Sequence, residues 1–313
     1  MRRMPFVFIL SMTSFCGAVA VVACSTDDTS SPPRTEPQAD AANSAVSIAF
    51  EGRVGSEPFR CTQAYAQLGT SHVTADILDF RFYVHDVRLV TRDGRETPVT
   101  LTQDKKWQYD NVALLDFEDK SGNCANGTVD TNTHVTGTVP PGDYTGLRFR
   151  LGVPFALNHG NAATAPSPLN LSGLFWIWNA GYKFLRVDAR VAQPGALLAD
   201  AGDAGGSADA GAPPVFPVHI GSTGCQGDAQ DGGVTDCSRR NVADIELTAF
   251  DVTKSKVVVD YAALVAGTEL TAGGGMGCMS GPEDATCVSI FSRLGIDLAT
   301  GKPAAGQAFF RAE

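Results

Sequence analysis

Alternation with a period of two runs through most of this chain and constrains its fold more than any other feature. In "AVSIAFEG", Val46, Ile48 and Phe50 alternate with small or polar residues. "YTGLRFRLGV" sets Leu147, Phe149 and Leu151 against Arg148 and Arg150, and "ADIELTAF" sets Ile245 and Leu247 against Glu246 and Thr248. "DFRFYVHDVRLV", residues 79–90, is rich in aromatic and β-branched residues, and "KVVVDY" is a short apolar run. Neighbouring side chains of a strand point to opposite faces, so each segment reads as a strand with a buried face. Turn signals separate them, among them Asp93-Gly94 and "PPGD" at 140–143. Strands this regular predict an all-β fold, an antiparallel β-sandwich with long loops. Two short helices are expected. One is capped by Asp260 and runs through "YAALVAG"; the other covers about 285–294, with Cys287, Ile290, Phe291 and Leu294 on one face and Gly295 as its stop.

The N-terminus sets the compartment. "MRRMPFVFILSMTSFCGAVAVVACS" carries Arg2 and Arg3 and then an apolar run, so residues 1–23 read as a signal peptide. "VVAC" has the form of a lipobox, which makes Cys24 the first mature residue and an acylation site. Ser25 favours the outer membrane, at its periplasmic face or the cell surface. Residues 24–44 form the lipid anchor and a polar tether without large apolar side chains, which cannot order itself. Residues 45–313 are expected to form a single β-sandwich domain. "AQPGALLADAGDAGGSADAGAPP", 192–214, is a low-complexity insertion. Its Asp200, Asp203 and Asp209 miss calcium-loop spacing and lack the closing glutamate.

Charge and cysteines narrow the class further. The net charge is −10, and removing the leader with its two arginines takes it to −12. Such a surface argues against nucleic acid as a partner and is compatible with a cation ligand. Besides Cys16 and Cys24, six cysteines remain: Cys61, Cys124, Cys225, Cys237, Cys278 and Cys287. An even number in an exported chain points to disulfides. Six cysteines allow 15 pairings. Proximity suggests 225–237 and 278–287, leaving 61–124, and the connectivity stays open at this point. Short loops closed this way contribute about 2–3 kcal/mol each.

The motifs GxSxG, HExxH, GxxxxGK[ST] and GxGxxG do not occur. The histidines are His72, His85, His134, His159 and His219. Imidazole is a common copper and zinc ligand. His159 follows "GVPFALN", where a strand ends in a polar turn. His219 lies in "FPVHIGSTGC", and a disulfide at Cys225 would stiffen its backbone. His85 is mid-strand on the face of Tyr83, Val87 and Leu89, so it points inward if that face is core. Trp176 and Trp178 stand at i and i+2 in "FWIW" and share a face if the backbone there is extended. Trp107 reads as a strand-edge packing residue. Met276 and Met279 flank Cys278 and read as packing beside a disulfide.

Taken together, "DFRFYVHDVRLV", "GVPFALNH", "APSPLN", "LFWIWNAGYKFLRVD", "VHIGSTGC" and "MGCMSG" resemble the MbnP-like copper-binding proteins, also called metallo-mystery-pair four-Cys motif proteins. The resemblance covers about 46–295 and leaves out the leader, the tether and the Ala/Asp/Gly insertion. It implies an exported, β-rich, non-enzymatic protein paired with a di-haem enzyme of the bacterial cytochrome-c-peroxidase type. In characterised relatives that partner oxidises a tryptophan to kynurenine, and the modified site binds copper through imidazoles and the kynurenine amine. The tryptophan would be Trp178 or Trp176, with Trp178 preferred. The ligand histidines would be His159 and His219, with His85 third. The four-Cys pattern matches Cys225, Cys237, Cys278 and Cys287. An indole nitrogen is a donor only, whereas an opened ring carries an amine that can bind a metal.

Two other classes compete. One is a β-sandwich interaction module that binds a ligand or protein through the aromatic loop and holds no metal. The other is a zinc hydrolase with Asp86 or Asp188 as base, which would need an open three-ligand site.

Overall fold

The longest alternating segment becomes the spine of one sheet. The computed structural model describes residues 42–179, 181–192, 214–227, 233–271 and 277–313, without the side chain of Trp178. The expected leader, Cys24, most of the tether, most of the 192–214 insertion and Met276 lie outside these residues. The strands, in order, begin with β1 (Ser44–Val54), β2 (Glu57–Pro58), β3 (Ala64–Leu68), β4 (Val73–Thr91), β5 (Glu96–Pro98), β6 (Thr100–Leu101) and β7 (Gln108–Tyr109). There follow β8 (Val112–Asp116), β9 (His134–Val139), β10 (Tyr144–Leu151), β11 (Phe175–Trp176), β12 (Gly181–Tyr182) and β13 (Leu185–Val191). The series ends with β14 (Val215–Ile220), β15 (Thr223–Gln226), β16 (Asp236–Arg239), β17 (Ala243–Leu247), β18 (Lys256–Asp260) and β19 (Phe310–Ala312).

Two sheets pack face to face, as the alternation predicts. In the first, the order is β19-β18-β1-β9-β6, with β2 folded onto β1. Its β1–β18 pair is parallel, an exception in an otherwise antiparallel set. In the second, β4 pairs along one edge with β13 and then β10, and along the other with β3, β8 and β5. Strand β14 extends the sheet beyond β13, and β17 beyond β10. Between the sheets lie Ile48, Phe50, Ile77, Phe80, Phe82, Phe149, Val257 and Val259, all buried. Their rings meet edge to face: Phe50 and Phe149 at 5.7 Å, Phe149 and Phe310 at 5.2 Å, Phe80 and Phe117 at 5.2 Å. Burying each such side chain stabilises the fold by about 1.5–3 kcal/mol.

Both expected helices form. Asp260 caps Tyr261–Val265 by accepting from the Ala263 amide. Asp284 caps Ala285–Leu294, which stops at Gly295 with φ 73°. A shorter helix over Phe155–Asn158 was not expected. No helix among the described residues is long and apolar enough to cross a membrane. The cysteines pair as 61–124, 225–237 and 278–287.

Strand β4 departs from simple alternation at one point, and this relocates His85. Asp86 has φ 51°, and the pairing with β10 shifts register between Arg148–Arg88 and Arg150–His85. Two β4 residues thus oppose one on β10, which is a β-bulge. The bulge inverts the faces on either side of it. Val87 and Leu89 point into the sandwich core, whereas Tyr83 belongs to a second apolar cluster on the outer face. His85 therefore does not share a face with Val87 and Leu89. It reaches the outer side, where its Nδ1 lies 2.8 Å from the Gly152 carbonyl.

That outer face is covered by the connection from β10 to β13. Such a long segment needs a core of its own to stay ordered. Leu169, Leu174, Tyr182 and Phe184 supply it, against Tyr83, Val112 and Leu114 of the sheet. The Tyr83 hydroxyl donates to the Pro168 carbonyl at 2.9 Å, and the Tyr182 hydroxyl donates to the Leu169 carbonyl.

Beside this cluster the outer face carries a buried ionic chain of alternating sign. Glu118 faces Arg81 at 3.5 Å, Arg81 binds Asp79, Arg186 bridges Asp79 at 3.1 Å and Asp188 at 2.7 Å, and Asp188 meets His219 at 2.7 Å. Asp116 lies near its Glu118 end. Burial drives the Asp116 carboxyl up to about 8 against the pull of Arg81. An acid raised in the folded state stabilises the fold fully below its unfolded pKa, here near 3.8, and loses that contribution as pH rises through about 8. We expect the urea midpoint to fall as pH climbs from about 5 to about 8.5, and Asp116→Asn to flatten that slope. Titrating urea melts of both chains checks this; an unchanged slope in the variant would assign the dependence to another group.

Candidate metal centre

The region with metal-ligand chemistry lies where the long connection crosses the ends of β14 and β15. His159 follows the Phe155–Asn158 helix as its C-terminal cap, with φ −113° and ψ 18°. Its ring is buried, 5.1 Å from the Phe155 ring. Asn158 fixes the tautomer. The Asn158 Oδ1 accepts from the Tyr182 amide at 2.8 Å, so its Nδ2 donates to His159 Nε2 at 3.0 Å and to Ser222 Oγ at 3.3 Å. Nε2 therefore carries the lone pair, and in the neutral ring Nδ1 carries the proton. The same Nε2 is 3.2 Å from Cys237 Sγ.

Two glycines let the aromatic segment approach. A Cβ on Gly181 would stand 3.2 Å from His159 Cε1, and one on Gly221 would stand 2.6 Å from Trp176 Cζ3. Trp176 pairs across the strands with Gly181 and is 5 % exposed. So His159 and Trp176 share the Gly181 neighbourhood, and the indole also seats on Gly221, two residues beyond His219. Trp178 lies in the 3₁₀ turn Ile177–Asn179, not on an extended backbone. The chain turns after Trp176, and the one-face argument for the two tryptophans does not hold.

His219 reaches this neighbourhood through its backbone, while its ring is aimed at Asp188. Burial would raise the Asp188 carboxyl, but the His219 hydrogen bond and the charges of His219 and Arg186 outweigh it and hold it at about 2. The carboxylate is ionised, so His219 Nε2 donates to it at 2.7 Å. With Nε2 holding the proton that faces Asp188, Nδ1 is the ring nitrogen that would offer a lone pair to a metal ion. A carboxylate behind an imidazole in this way is the usual orienting partner of a metal-ligating histidine. The His219 amide is fixed as well, donating to the Cys278 carbonyl at 2.8 Å, beside the 278–287 disulfide.

His85 belongs to an adjoining cleft of about 740 Å³, lined also by Arg150, Phe155, Cys237, Arg240 and Lys302. Burial lowers its pKa, so the imidazole is neutral near pH 7. His219 and His85 are separated by two strand spacings and four residues of β4. That amounts to roughly 16 Å between their Cα atoms, too far for both rings to meet one ion on this backbone. His72 and His134 lie apart from this cluster, His134 being exposed on β9.

The structure thus brings together His159, Trp176 and the 225–237 disulfide, sets His219 at the margin with a carboxylate behind it, and leaves His85 in the cleft. The sequence reading missed Asn158, Gly181 and Gly221. The single cue for Asn158 was its place before His159 in "ALNH". Asp188 was weighed as a base, and its position between His219 and Arg186 gives it an orienting role instead. Asp86, the other base considered, pairs with Arg88 at 2.8 Å and Arg150 at 3.7 Å. Imidazoles whose metal-facing nitrogen is fixed by a hydrogen bond at or behind the ring suit copper. Both sulfurs of the 225–237 pair lie within 4.8 Å of a His159 nitrogen, but they are bonded to each other at 2.06 Å and are not thiolate ligands in this state.

The profile of the MbnP family matches residues 43–280. Among solved structures, MbnP from Methylosinus trichosporium superposes with a TM-score of 0.71 at 30 % identity, covering 87 % of this chain and 98 % of that one. A comparison with curated proteins finds no match.

Proposed function

The chain belongs to the MbnP family, and on that premise we propose that it is an exported copper-binding protein, not an enzyme, that holds the ion with His159, His219 and an oxidised tryptophan. The observation that carries this reading is the convergence of His159 and Trp176 on Gly181, with Trp176 also packed on Gly221 beside the His219 strand. Three disulfides suit an oxidising compartment. The proposed leader would direct export and be removed, and the acylated Cys24 would fix the chain to the outer membrane.

The residues divide the work. His159 offers Nε2 in place of its bond from Asn158. His219 offers Nδ1, with Asp188 holding its ring. The third ligand is the aryl amine of a kynurenine at Trp178 or Trp176. Forming it cleaves the indole C2–C3 bond and adds oxygen at both carbons, and hydrolysis by one water then breaks the N–formyl bond, leaving the aryl amine and releasing formate. A di-haem, cytochrome-c-peroxidase-like partner would deliver the oxidising equivalents from peroxide. Bound copper would supply a soft, redox-active cation for storage or delivery.

Asp188→Asn should weaken copper affinity about 10–100-fold through the loss of its hold on His219, with stoichiometry at saturating copper unchanged. Chelator-competition titration reads this, and wild-type affinity in the variant would remove His219 from the site. The interaction-module reading draws on Ile177, 88 % exposed between the two tryptophans. On that reading Ile177→Ser would abolish partner binding, and neither histidine substitution would affect it.

A further inference from the structure

One disulfide differs from the other two in surroundings and exposure. Cys61, Cys124, Cys278 and Cys287 are all buried. In the 225–237 pair, Cys237 is buried and lines the 740 Å³ cleft, while Cys225 is partly exposed. The pair joins directly opposed residues of the β15–β16 hairpin and closes a short segment, with a sequence separation of 12. It lies outside both apolar cores, so opening it unties a hairpin and not the sandwich. At its buried sulfur stands the lone-pair nitrogen of His159, 3.2 Å away, and the nitrogen and both sulfurs fit within 4.8 Å.

We propose that the 225–237 disulfide is a reducible gate, and that its reduction by an exported dithiol creates a soft-metal site from His159, Cys225 and Cys237, suited to Cu(I). The incoming thiolate attacks the accessible Cys225 Sγ, the S–S bond breaks, and Cys237 leaves as a thiolate. The second thiol of the reductant then resolves the mixed disulfide. Two electrons and two protons pass to the cysteines, and the reductant leaves as a disulfide. Cu(I) bound by both sulfurs and His159 Nε2 displaces the two protons. Thiolate and imidazole donors select Cu(I) among the available ions. This site stands whether or not a tryptophan is modified. It shares His159 with the oxidised-state site, so the two are not filled at once: reduction draws Cu(I) onto the sulfur-rich set, which holds it against a chelator that empties the nitrogen set.

The test uses the full chain under anaerobic conditions with graded dithiothreitol, followed by iodoacetamide and peptide mass spectrometry. Cys225 and Cys237 should be labelled at least about tenfold faster than the other four cysteines, because exposure governs access to exchange. The reduced chain should then take up one more Cu(I) than the oxidised chain in competition with bathocuproine disulfonate, with a thiolate-to-copper absorption band. The Cys225→Ser/Cys237→Ser double variant should lose that extra equivalent and the band. The copper content of the oxidised chain reports the histidine–tryptophan site separately, so failure of one reading is distinguishable from failure of the other. Reduction of all three disulfides together, or an extra Cu(I) retained by the double variant, would overturn the proposal.

Discussion

His159→Ala will lower copper retention by more than about 100-fold while the chain stays folded. Losing an outer-shell partner alone typically costs 10–100-fold in metal affinity, and His159 is the imidazole that stands against Gly181, the strand partner of Trp176. Its removal also leaves Asn158 Nδ2 with one acceptor fewer, since that amide donates to both His159 and Ser222. That is a local loss of about 1–3 kcal/mol, within the margin of a domain of this size. Metal analysis after gel filtration, with a urea melt alongside, separates the two effects. Copper bound at wild-type stoichiometry and affinity would take His159 out of the site.

Arg81→Met will destabilise the fold by about 3–5 kcal/mol near neutral pH, the usual consequence of removing one member of a buried ion pair. Arg81 is buried against Asp79, Glu118 and Asp116. Without it those carboxyls remain in a low-dielectric site with Arg186 as their nearest cation, on Asp79. The loss should shrink in acid, because burial raises the Glu118 carboxyl and it takes up a proton there, whereas Asp116, raised to about 8, is already largely protonated at neutral pH. Urea melts at about pH 5 and pH 7.5 check the sign. A loss equal at both pH values would show that packing of the guanidinium stem, and not its charge, holds this region. The same variant loosens the far end of the chain that ends at Asp188 and His219, so a drop in copper affinity would accompany it.

Much of the sandwich was legible because period-two alternation is a direct image of a half-buried strand. Ile48, Phe50, Leu147, Phe149 and Ile245 all reach the core as their spacing requires. Asp260, Asp284 and Gly295 mark helix ends by local chemistry, and such signals need no tertiary information. His85 was misplaced for a physical reason: an aspartate in the left-handed region inserts one extra residue, and every side chain beyond it changes face. Nothing in "YVHDVRLV" announces that bulge. The FWIW segment misled for a similar reason, since a strand of two residues gives way at once to a 3₁₀ turn. The candidate site depends on contacts across long sequence separations, such as Asn158 with Ser222 and Trp176 with Gly221. These glycines matter for what they leave open, which no residue pattern displays. Family resemblance supplied the histidines and tryptophans as candidates, and the fold decided which of them lie near one another.

The most direct measurement is an anomalous-difference map at the copper edge, from crystals of the chain produced together with its di-haem partner and loaded with copper. The account predicts one peak within bonding distance of His159 and of an amine nitrogen at position 176 or 178, where the density shows an opened ring. A peak elsewhere, or intact indoles at both positions around a bound ion, would contradict it.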